Sequence, residues 1–167
     1  MEEYIAKARS LGLFVYTNFM KSYCLPPEEF SKIGAIAEGF GSQMNYIVDS
    51  AGGMLPDDIR VYFSALKDAT GIPTGFHGHD NIRLAIANSL VAAESGAVLI
   101  DTTLFGIGRG SGNAATELMA ALLKQRFGLL QGIDERRLLH IAEREAAPML
   151  RHRHSDSISM SLGLAQV

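Results

Sequence analysis

The 167 residues are 47% hydrophobic and 20% charged, enough apolar content for one globular domain with its own core. A formal charge of −3 gives no electrostatic reason to expect nucleic acid or an anionic membrane as partner. Cys24 is the only cysteine, which excludes an internal disulfide, and no apolar run approaches the roughly 20 residues of a membrane span.

Residues 1–10 read as a short helix leading into a strand over 13–20. The opening Met-Glu-Glu-Tyr-Ile has no basic region followed by an apolar one, so no signal peptide and a cytoplasmic protein are expected. Cys24 follows this strand with no adjacent base and reads as a small buried residue. Pro26-Pro27-Glu28-Glu29 starts a helix, because proline suits a first turn and acids complement its positive end. That helix runs to about Gly39, with Phe30, Ile33, Ile36 and Ala37 expected on one stripe. A second strand, 44–49, ends in the turn Ser50-Ala51-Gly52-Gly53. Pro56-Asp57-Asp58 opens the next helix, which stops before Thr70. A third strand covers 74–79, followed by a helix over 81–95. A fourth, 98–102, precedes a glycine-rich loop and a helix over 113–127. One more helix is expected from Asp134, then a tail without assigned structure.

Strands alternating with helices define an α/β protein with a parallel sheet, a βα repeat of about four units. The strands begin roughly 25–30 residues apart, the length of a βα unit. The chain reads as a single domain, with βα units over 1–130 and a C-terminal helix and tail over 131–167. Two architectures fit: an open doubly wound sheet, or part of a (β/α)₈ barrel, which in full takes about 250 residues. Periodicity does not choose between them.

The chemistry lies at the strand ends. In Phe76-His77-Gly78-His79-Asp80-Asn81, strand alternation projects His77 and His79 together and turns Gly78 away. Two imidazoles at the C-terminal end of a parallel strand read as two legs of a metal site, or as solvated histidines. Four glycines in the seven residues 106–112 allow close approach of backbone to a ligand. That loop reads as a phosphate cradle or as a flexible turn, with Asn113 as helix N-cap or as a hard oxygen ligand. It lacks the Gly-Lys-Ser/Thr ending of a P-loop. Asp49 and Ser50, at another strand end, are candidates for binding substrate; Asp49 reads equally as orienting a metal ligand or as capping the turn. Asp101 invites the same pair of readings. His152 and His154 share the His-x-His spacing but sit in a basic segment that reads as a solvated tail, and His140 as structural.

The block GFHGHDNIRLAIANSLVAAESGAVLIDTTLFGIGRGSGNAATEL, residues 75–118, resembles the HMG-CoA-lyase-like group of metal-dependent TIM-barrel lyases. YIVDSAGGMLPDDIR and FMKSYCLPPEEF resemble units of the 4-hydroxy-2-oxovalerate aldolases of that group. The resemblance covers about residues 11–127 and implies strands five to eight of the barrel, its C-terminal half. It implies that His77 and His79 ligate a divalent metal (Mn, Mg or Zn), with Asn113 as a weaker ligand. The implied reaction is cleavage of a 4-hydroxy-2-oxo acid to pyruvate and an aldehyde. Claisen-type acyl-CoA condensation, as in the isopropylmalate synthases, is the alternative that Asp80 keeps open, and a catalytically inactive barrel fragment is the other.

The family's Asp-x-x-x-Arg-Asp/Glu motif, which gives a third metal ligand and an arginine, has no counterpart here, so the catalytic residues stay unassigned. A half barrel exposes two sheet edges and an apolar face. A partner is therefore expected: a second copy forming a homodimer, or the missing N-terminal half. The resemblance further implies a small 2-oxo acid as substrate and an acylating aldehyde dehydrogenase as partner of the region after strand eight.

Overall fold

The computed structural model describes residues 1–150 and 157–167. Helix α1 (Glu2–Ser10) precedes four βα units: β1 (Tyr16–Phe19) with α2 (Pro27–Gly39), β2 (Met44–Asp49) with α3 (Pro56–Ala69), β3 (Thr74–Gly78) with α4 (Ala85–Glu94), and β4 (Leu99–Ile100) with α5 (Thr116–Phe127). Helices α6 (Glu135–Ile141) and α7 (Ser157–Ala165) follow. Among the described residues no helix is long and apolar enough to cross a membrane.

All neighbouring strands are parallel, in the order β1-β2-β3-β4. This order decides between the two architectures. A doubly wound sheet reverses its order at a switch point, whereas sequential right-handed crossovers leave every helix on one face. Accordingly α2 packs on α3, α3 on α4 and α4 on α5. The expected four parallel βα units are present in one sheet.

The two faces of β2 show how the chain sorts itself. Asn45, Ile47 and Asp49 turn toward the helices, where Ile47 joins Phe30, Ile59, Leu66 and Phe76 in the main core. Met44, Tyr46 and Val48 form a second, smaller cluster on the opposite face. There Tyr46 lies 6.0 Å from Tyr16, whose ring meets Phe14 at 5.1 Å. Phe14 is 59% and Tyr16 47% exposed, so this face is only part covered. Gly75 is required beneath it, since a Cβ there would come within 2.5 Å of the Tyr46 ring.

Several boundaries and contacts differ from expectation. The α2 stripe is Phe30, Gly34 and Ala37, with Ile36 half exposed, because Gly34 lets the helix sit directly against Leu66 and Asn45. Cys24 is exposed rather than buried. It ends a single 3₁₀ turn whose Ser22 faces inward, accepting from Val48 N at 2.8 Å. Helix α4 begins at Ala85 rather than at residue 81, because Asp80 accepts from Ala85 N at 3.0 Å and Arg83 adopts a left-handed conformation. The tail left unassigned contains α7, which packs through Gly163 against Gly53, Asn81 and Ala51.

Candidate metal centre

His77 lies on the face shared with Tyr46 and Val48, and His79 follows at the strand's C-terminal end. As strand alternation requires, the two rings come together, centroids 5.1 Å apart and edge to face. Each Nδ1 has an oxygen acceptor. His77 Nδ1 is 3.1 Å from Asp101 Oδ2, and His79 Nδ1 is 3.3 Å from the Gly112 carbonyl. An acceptor at Nδ1 holds the proton there, so both lone pairs sit at Nε2, the atom left for a ligand. Burial, followed by the charges of His77 and Arg109, lowers the pKa of His79 and favours the neutral imidazole that metal binding needs.

Residues 106–113 fold back against this strand end. His79 and Asn113 form an antiparallel bridge, and Asp80 N donates to Gly112 O at 2.9 Å. Asn113 does not cap α5, which starts at Thr116. Its amide donates to Ile107 O at 3.2 Å, leaving a buried Oδ1 with no hydrogen-bond partner. An orphaned buried oxygen on the residue that bridges to His79, taken with two imidazole nitrogens, fits the donor chemistry of a divalent ion. Among the described residues, no group of three or more His, Cys, Asp or Glu side chains joins them. His152 and His154 lie outside the described residues, and His140 is exposed on α6.

Asp49 makes the turn contacts that were one of its expected uses. Its carboxylate is 1% exposed and accepts from Gly53 N at 3.1 Å and Met54 N at 3.0 Å. Burial raises its pKa, and these N–H donors oppose the shift. The capping alternative is what the geometry displays. Replacing Asp49 with alanine leaves two buried N–H groups unpaired and is expected to destabilise the fold by about 3 kcal/mol, read in urea unfolding. Ser50 is likewise engaged: its hydroxyl accepts from Lys21 N at 2.8 Å, and its carbonyl from Arg109 Nη2 at 2.5 Å.

Two participants were invisible in the sequence pattern. Tyr46 donates its hydroxyl to Asp101 Oδ1 at 3.1 Å, so one carboxylate ties Tyr46 to His77. Burial, then the Asp101 charge, pushes the Tyr46 pKa up and keeps it a donor. Arg109 reaches in from the glycine loop. Their partners lie too far along the chain for any motif to join them. Asp101 thereby positions the His77 imidazole, and Asp101→Ala is expected to weaken metal binding about 10–100-fold, measured by chelator competition.

The HMGL-like family model matches residues 1–144. The 4-hydroxy-2-oxovalerate aldolase of Carboxydothermus hydrogenoformans is 39% identical over 167 residues, 99% of this chain and 49% of that protein. The one of Chloroflexus aurantiacus is 45% identical over 149 residues, 89% of this chain and 43% of that protein. The chain thus spans about half the length of the curated relatives it matches. Among solved structures, the N-terminal domain of a candidate aldolase from Bacteroides vulgatus superposes with a TM-score of 0.84 at 29% identity, over 97% of this chain and 54% of that one. The carboxyl transferase domain of Rhizobium etli pyruvate carboxylase, solved with 3-hydroxypyruvate, gives 0.63 at 25% identity over 71% of this chain and 20% of that one.

Proposed function

Because this chain belongs to the HMGL-like family, we propose that it forms half of a divalent-metal-dependent carbon–carbon lyase that cleaves a 4-hydroxy-2-oxo acid to pyruvate and an aldehyde. The observation that carries this reading is the paired rings of His77 and His79, each held by an acceptor at Nδ1, with the orphaned oxygen of Asn113, the residue that bridges to His79. These three residues would hold Mn, Mg or Zn. When bound, such an ion supplies Lewis-acid polarisation of the 2-oxo carbonyl.

The chain's own groups do the rest of the positioning. Asp101 fixes the tautomer of His77, the Gly112 carbonyl that of His79, and Tyr46 restrains Asp101. Asp101 is committed to these two contacts, so a carboxylate ligand and the general base come from the other half of the barrel. That half is a separate segment of the same architecture or a second copy of this chain. An acylating aldehyde dehydrogenase is the natural consumer of the aldehyde product. The Claisen-type alternative has less support here, since Asp80 is occupied by Arg83 and by the start of α4.

The test is light scattering after size exclusion, with metal content and pyruvate release from 4-hydroxy-2-oxovalerate measured on the same peak. A dimer or two-part complex that holds metal and releases pyruvate is the expected result. Release of free coenzyme A from an acyl-CoA and a 2-oxo acid would instead favour condensation. A metal-free monomer without either activity counts against the lyase reading and for an inactive fragment.

A further inference from the structure

We propose that Arg109 recognises the carboxylate of the 2-oxo acid substrate, an inference that rests on the lyase reading above. In the sheet, β3 lies between β2 and β4. Arg109 belongs to the loop after β4, yet its Nη2 donates to the carbonyl of Ser50, the residue directly after β2. The side chain therefore spans the C-terminal end of β3, where His79 stands. The same turn holds both groups: Gly112 N donates to Arg109 O at 3.0 Å, and the Gly112 carbonyl accepts from His79.

No carboxylate forms an ion pair with Arg109 among the described residues. A guanidinium carries five donors in a planar fork that matches a carboxylate in a two-point contact. One contact at the Ser50 carbonyl orients the fork and leaves the other donors for an anion. Arg109 is exposed, and its neighbours Gly108 and Gly110 have no side chains to block approach. A 2-oxo acid whose oxo oxygen faces the imidazoles thus has a cation waiting for its carboxylate.

The test uses the full chain, with any partner it purifies with, and oxalate and pyruvate as probes. Binding is followed by calorimetry with and without added Mn, alongside metal content and thermal melting. Arg109→Gln is expected to weaken oxalate binding at least about tenfold while metal content and melting stay unchanged, and Arg109→Lys to recover part of it. A purely structural strap predicts the opposite pattern, lost melting temperature and lost metal in step with lost oxalate. Equal oxalate affinity in wild type and Arg109→Gln overturns the proposal, as does a metal-loaded wild type that takes no oxalate. A wild type that holds no metal sinks the lyase reading instead. Arg109-dependent oxalate binding in the metal-free arm would then still support the carboxylate seat, and its absence there would overturn it.

Discussion

Replacing either His77 or His79 with alanine is expected to lower metal affinity at least about 100-fold, so that the protein purifies without metal. Among the described residues the proposed donor set is the two imidazole nitrogens, already fixed in orientation by Asp101 and Gly112, with the orphaned Asn113 oxygen. Loss of one nitrogen removes half of the imidazole set on which the proposed centre rests, and an oxygen ligand from the other half of the barrel does not replace it. His140→Ala, at an exposed position on α6, serves as the control and should leave metal content as it was. Retention of stoichiometric metal by both alanine variants would remove the basis for the proposed centre.

The same site carries a pH signature. His79 has a folded pKa below its ordinary value of about 6.5, chiefly because it is buried and next because His77 and Arg109 repel a proton. The unfolded chain therefore binds more protons than the folded one just below pH 6.5. The stability associated with neutral His79 is present above that pH and is lost as pH falls toward the folded value. Melting of the metal-free protein at pH 7.5 and 5.5 should differ more for wild type than for His79→Gln.

The second large effect is expected at Gly52. This glycine has φ +60, and a Cβ there would stand 2.6 Å from Asn81 N and 2.7 Å from both His79 C and His79 O. These are backbone atoms, which cannot rotate away as a side chain tip can. Gly52 O also accepts from Ile82 N at 3.1 Å, so the turn after β2 and the segment after β3 are locked face to face. Gly52→Ala adds a left-handed penalty of about 1–2 kcal/mol to an overpacking cost of about 1–3 kcal/mol. Together these give about 3 kcal/mol, or roughly a 10 °C fall in melting temperature for a chain of this size. The atoms displaced are those of His79 itself, so metal binding should fall with stability. Gly39→Ala, in open space at the end of α2, is the control and should do neither. A Gly52→Ala protein that melts and binds metal like wild type would show that the two loops are not locked as described.

The sequence carried the fold through its local signals. Proline and acids at Pro27 and Pro56 marked helix starts, and the period of two in His77-Gly78-His79 put both imidazoles on one side before any tertiary contact was known. It was less informative where a polar side chain had two local uses. Asp80 read as a mark of condensation chemistry and accepts from the first N–H of α4, and Asp49 read as a substrate contact or a turn cap and accepts from Gly53 and Met54. A carboxylate at a strand end suits both tasks, and only the course of the next few backbone N–H groups separates them.

What the amino-acid order determined by itself was the succession of βα units, the family and the pairing of the His77 and His79 rings, because each is written in residues a few positions apart. Whether those units wind into one sequential sheet with all helices on one face was decided by tertiary structure, since strand order depends on which edges meet. So was the wiring of the site: Tyr46 with Asp101 across 55 residues, and Arg109 with Ser50 across 59. Those contacts exist because parallel strands bring distant strand ends side by side at one rim, an adjacency that no spacing along the chain encodes.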